Sequence, residues 1–120
     1  MTVTAPGSVA FGSHYTVTVS GKTGTVYAQH VKNQTNKVVA FEGGSKNGTA
    51  LPCYTSYSTE LHVFAKLLQP ARYTVLGPFT VRFSFVANHK GTKGFCAYLL
   101  TNHPLGPNQF AFAQARWTVS

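Results

Sequence analysis

Aspartate is missing from this chain altogether, and glutamate occurs only twice, at Glu42 and Glu60. That scarcity removes several chemistries at once. An aspartate-based calcium loop is excluded, and a Ser-His-Asp triad would have only a glutamate for its third member. A glycosidase needs two carboxyl groups flanking a sugar. Glu42 and Glu60 are the only such pair, and both stand in or beside polar stretches that read as exposed. Long apolar runs are lacking too: no stretch approaches the ~20 consecutive residues that a membrane-spanning helix needs. No run of five or more like charges occurs, which leaves a dedicated nucleic-acid arm unsupported. The two cysteines form no CxxC, and nothing local marks either as a stabilised thiolate. The five histidines, His14, His30, His62, His89 and His103, show no HxH, HExxH or other ligand spacing. No glycine-rich phosphate loop opens a helix. The expectation is a non-enzyme with no metal and no cofactor.

What is present points to one domain. A chain of 120 residues suffices for a single packed core and is too short for two. Its apolar fraction of 43% and aromatic fraction of 13% suit a globule. The net charge of +8 comes from missing acids more than from abundant bases, because charged residues make up only 10%, against roughly 25% in an average soluble domain. The bases are scattered from Lys22 to Arg116. Two readings follow: a solubilising surface, or a diffuse positive field that draws an acidic partner in a salt-dependent way. The opening MTVTAPGS lacks the charged start and apolar run of a secretory signal. Either the chain is not exported by that route, or a signal has been removed ahead of Met1.

Short β-segments separated by turns organise the chain. In His14 to Ser20, Tyr15, Val17 and Val19 alternate with Thr16, Thr18 and Ser20, the period of a strand with one buried face. GKTG, Gly21 to Gly24, reads as a turn. Strands are expected at Thr25–Val31 and Val38–Glu42, with KNQTNK and GGSKNG as loops. Leu51 to Ala65 reads as an irregular crossover entering a strand near His62 to Leu67, with a short helical turn around Ser58 to His62 as the alternative. The pattern is sharpest in Pro78 to Ala87, where Phe79, Val81, Phe83 and Phe85 alternate with Thr80, Arg82 and Ser84. NHKGTKG turns, Gly94 to Thr101 runs back, NHPLGPN turns again, and Phe110 to Val119 closes the chain. Seven or eight strands at this spacing, without a helix of ten residues, predict an all-β sandwich.

Cys96 lies in a strand where its side chain can enter a core, and Cys53 lies 43 positions earlier. In an oxidising compartment a count of two makes one bridge the natural pairing. Two buried free thiols acting as small apolar residues are the alternative. The chain also resembles a family of bacterial immunoglobulin-like domains found in secreted and cell-surface proteins, notably of actinobacteria. The resemblance rests on Tyr15 to Gly21 (YTVTVSG), on the mid-chain Cys53 to Thr55, and on Cys96 to Leu99 (CAYL), in that order. It implies an immunoglobulin-like antiparallel β-sandwich outside the cell, its two apolar sheets stacked and pinned by sulphur. Antibody-type domains place a tyrosine two residues before the second cysteine. Here that position is Gly94, so the tie to antibody domains is architectural.

Working surfaces are expected at loops and edges. KNQTNK, GGSKNG, NHKGTKG and NHPLGPN offer donors for sugars or anions, with Lys90 and Lys93 in the third. Asn33 and Asn47 stand in glycosylation sequons, relevant in a eukaryotic secretory host. In the last segment, Ala111, Ala113, Ala115, Trp117 and Val119 share one face, and Phe110, Phe112, Gln114 and Arg116 the other. Phe110 and Phe112, with Tyr54 and Tyr57, are expected either to form an apolar patch for a partner or a second copy, or to cap the sandwich end. The functional expectation is an extracellular structural or interaction module joining other proteins or copies of itself. The alternatives are a virion decoration or fibre protein on an acidic capsid surface, and a carbohydrate-binding module.

Overall fold

Period-two alternation builds most of this protein. The structure is a computed structural model and describes residues 1–23, 35–42, 45–64, 68–74, 77–103 and 106–120. In chain order its elements are β1 (Thr2–Thr4), β2 (Ser8–Val9), β3 (His14–Thr23), β4 (Thr35–Glu42), β5 (Ser45–Lys46) and β6 (Thr49–Ala50). A helix, α1 (Tyr57–Phe64), follows, and then β7 (Leu68–Thr74), β8 (Gly77–Val86), β9 (Gly91–His103) and β10 (Gly106–Val119). They form a three-stranded sheet in the order β1-β3-β8 and a five-stranded sheet in the order β2-β10-β9-β4-β7, with β5 and β6 paired as a small hairpin. The chain is mainly β and has two sheets, in line with an all-β sandwich.

The register explains the core between the sheets. Val17 pairs with Phe83 and Tyr15 with Phe85, so the apolar faces of β3 and β8 coincide. Across from them, Val38 pairs with Leu99 and Ala40 with Ala97, while Ala115 pairs with Phe95. Val17, Phe83 and Phe95 are all fully buried, and their cluster includes Trp117 and Val119. Each such side chain contributes about 1.5–3 kcal/mol through burial. Phe95 meets Phe83 at 5.5 Å and Phe85 at 5.9 Å between ring centroids. The Trp117 indole N–H donates to the Tyr15 hydroxyl at 2.9 Å, which satisfies the one polar atom of a buried indole.

Several local expectations change. Gly21–Thr23 continues β3 instead of turning, Thr35–Lys37 opens β4, and β9 and β10 run into NHPLGPN from both sides, to His103 and from Gly106. The segment Thr25–Val31 lies outside the described residues. GGSKNG holds a hairpin: Asn47 and Gly48 are its two central residues, both at positive φ (54° and 76°), with Lys46 paired to Thr49. The middle takes the alternative reading: a helix, α1, runs from Tyr57 through Phe64 where an irregular crossover into a strand near His62 is expected, and 65–67 lie outside the described residues.

The disulfide forms, but it does not join the two sheets. On β9, Phe95, Ala97 and Leu99 face the inter-sheet core, so Cys96, Tyr98 and Leu100 face the opposite side. There they build a second core with Val39 and Phe41, under the segment from Cys53 through α1. All six residues from Phe95 to Leu100 are consequently buried.

Candidate functional site

The most unusual chemistry lies in this second core, where a polar helix is held against a sheet face. α1 is short, and eight residues have little helical stability of their own. Three devices hold it. Its inward positions Tyr57 and Leu61, one turn apart, pack on the sheet. Tyr57 meets Phe41 at 6.0 Å and Tyr98 at 5.8 Å. The side-chain amide of Gln109, on β10, clasps the helix entry: its Oε1 accepts from the Tyr57 N–H at 2.7 Å, and its Nε2 donates to the Thr55 carbonyl at 2.6 Å. A backbone donor at the helix start is thus satisfied from another strand. Finally, the Cys53–Cys96 bond, with Cα atoms 5.7 Å apart, ties the segment covalently to β9. Closing 43 residues stabilises the fold by about 4 kcal/mol in the chain-entropy view.

Glu60 shares this inward helix face. It is 0% exposed, and neither carboxylate oxygen has a hydrogen-bond partner. Burial pushes its carboxyl above the ordinary value of 4.5; the neighbouring Tyr54 main chain and Tyr98 side chain offset part of that. The Tyr98 hydroxyl is itself committed to the Tyr54 carbonyl. Burial, then the nearby Glu60, raises the Tyr98 phenol well above its usual range. One carboxylate oxygen and the sulphurs of Cys53 and Cys96 all lie within 4.8 Å of one another. Leaving a buried polar group unpaired costs about 1–3 kcal/mol on the scale of protein substitutions, so this position works against stability. The expectation that Glu60 is exposed is overturned. It was read as part of a polar stretch, whereas its helical spacing from Tyr57 and its neighbour Leu61 turns it inward.

Glu42 is half-buried at the end of β4, and burial raises its carboxyl, opposed by the charges of Lys93 and His89. The two acids of the chain are therefore both withdrawn from solvent. The exposed charged side chains among the described residues are all cations: Lys22, Arg82, Lys90 and Arg116.

The side chains singled out from the sequence fall into two places. Tyr57 and Phe112 meet at Tyr98, whose ring lies 5.4 Å from that of Phe112, and both are half-buried in the second core. Tyr54 beside them is 44% exposed. Phe110 belongs to β10 at a register shift between Gln109 and Ala111; its side chain lies outside the described part. Lys90 and Lys93 sit away from this group, Lys90 with its ammonium 5.7 Å from the centre of the exposed Phe11 ring. An open cavity of about 300 Å³ adjoins the helix, lined by Ser56, Tyr57, Ser58, Leu61, Leu100 and Gln109. Sequence reasoning weighs Glu60 only as one of two exposed carboxylates and does not reach Gln109. Gln109 carries no local signal, because its partners lie 52 and 54 residues away.

No protein-family description, curated protein or solved structure matches this chain.

Proposed function

We propose that the protein is a non-catalytic, extracellular interaction module, an immunoglobulin-like sandwich of the bacterial cell-surface kind, that docks on acidic macromolecular surfaces. The observation that carries this reading is the withdrawal of both carboxylates, Glu60 fully and Glu42 in half, from a surface whose exposed charged side chains are cationic. Such a surface attracts anionic partners over roughly a Debye length and repels none of them locally. The outer face of the three-stranded sheet is the best docking platform. Across it run Thr2, Ser20 and Thr80 in one row, and Thr4, Thr18 and Arg82 in the next, with Lys22 at the margin. Hydroxyls and cations on a flat sheet suit carboxylate, sulfate or phosphate groups displayed on a polymer or protein. The disulfide supports a place outside the cell.

Chromatography on immobilised heparin and on polyglutamate tests it. The parent chain is expected to be retained at low salt and released as salt rises. K22E/R82E and K90E/R116E change the net charge equally but lie on different surfaces. Greater loss of retention in K22E/R82E supports the sheet face as the docking surface. Equal loss in both pairs, or passage of the parent chain at low salt, overturns it.

A further inference from the structure

We infer that Cys53, Cys96 and Glu60 form a second-state site: once the disulfide is reduced, the three side chains bind a thiophilic divalent cation, zinc being the natural fit. The argument starts from Glu60. The Glu60 carboxyl group is 0% exposed, neither of its oxygens makes a hydrogen bond of normal geometry although the Tyr54 main chain and the Tyr98 side chain stand close, and one oxygen lies beside the two sulphurs. Two thiolates and a carboxylate are a donor set that zinc accepts, whereas calcium and magnesium prefer oxygen alone. Zinc holds sulphur at about 2.3 Å and oxygen at about 2.0–2.2 Å, which sets neighbouring ligands of a tetrahedron about 3.5–3.8 Å apart. The three donor atoms already lie within 4.8 Å of one another. With the cysteine Cα atoms 5.7 Å apart, side-chain rotation is enough to spread the sulphurs and draw in the carboxylate. Cys53 is only half-buried, so reductant, metal and a water for the fourth position approach from its side, while Cys96 is buried.

The chemistry balances with an external thiol reductant. Two thiols, or one dithiol, leave as their own disulfide; the Cys53–Cys96 bond breaks, and each sulphur gains one electron and one proton. The cation then displaces those two protons, and any carried by the Glu60 carboxyl, to solvent. Disulfide and metal exclude each other, which makes the site a reporter of the redox state of its surroundings. It lies on the outer face of the five-stranded sheet, opposite the proposed docking face, and stands independently of it.

The test uses the full chain, reduced with a phosphine, freed of reductant and titrated anaerobically with cobalt(II). The expected result is one cobalt per chain, with thiolate-to-cobalt charge transfer and the visible bands of a tetrahedral ion, displaced by zinc. The oxidised chain should bind none. C53S/C96S should lose the charge-transfer band. E60Q should bind about tenfold more weakly or worse, since even outer-shell partners of a metal are worth 10–100-fold. Should reduction open the domain, recovery of the β circular-dichroism signal on adding zinc supports the site, and failure to recover overturns it. A folded, reduced chain without the cobalt bands, E60Q binding as tightly as the parent, or uptake by the oxidised chain would each overturn it as well.

Discussion

The two faces of the five-stranded sheet are held by different physics. The inner face meets a second sheet through interlocking aromatic and β-branched side chains, and the buried Trp117 indole is satisfied by Tyr15. The outer face meets a short helix that brings a carboxyl group with it, and it is held by the disulfide, the Gln109 clasp, the Tyr98–Tyr54 hydrogen bond and the packing of Tyr57 and Leu61. Burial is distributed over many contacts and fails all at once. Pins are local, and each fails separately. The lesson is that a single sheet supports both a rigid core and a removable cover.

The largest effect should come from attacking the inner face. Phe83→Ala is expected to cost about 3–5 kcal/mol and to lower the urea midpoint of the whole domain in one cooperative step. Loss of the disulfide in C53A/C96A should cost about 2–4 kcal/mol. Its signature should be uneven: hydrogen exchange should quicken more in α1 than at the amides of β3 and β8. Equal loss of protection on both faces would erase the contrast between them.

Glu60 predicts a gain. Replacing it with leucine in the oxidised chain should stabilise the fold by about 1–3 kcal/mol at neutral pH. The sign follows from linkage. The folded carboxyl titrates above its ordinary 4.5, so the folded state keeps a proton that the unfolded chain has already released. Stability is full below about pH 4.5 and declines as pH rises through the raised folded value. Thermal denaturation of the parent across that range should show the decline, and E60L should flatten it. The smallest effect belongs to Gln109→Ala, about 1 kcal/mol, with faster exchange at the Tyr57 amide as the direct measure.

These same two faces were unequally legible from sequence. The inner face announces itself: Phe79, Val81, Phe83 and Phe85 alternate with polar neighbours, and burial follows that alternation closely. Cys96 was placed in a strand and paired with Cys53, and the bond is there. Its direction was not legible. A run of apolar residues such as FCAYLL carries no period to say which face meets which layer. The helix was weakly signalled, because Ser58, Thr59 and Glu60 dilute its apolar stripe. Its spacing nevertheless holds the clue: Tyr57, Glu60 and Leu61 stand at i, i+3 and i+4. A carboxylate in that stripe marks either a solvated edge or a buried charge, and only the tertiary packing decides. The Asn47–Gly48 pair is a hairpin signal within GGSKNG, a stretch that reads from sequence simply as a loop.

The doubly covered strand β9 sets a limit on how this protein tolerates change. Along β8, every second position faces water, and a library of substitutions there should survive in alternate columns. Between Phe95 and Leu100 there is no column to spare. Variation in this stretch should be purged as one unbroken block, and lineages of the domain would drift around it as around a keel.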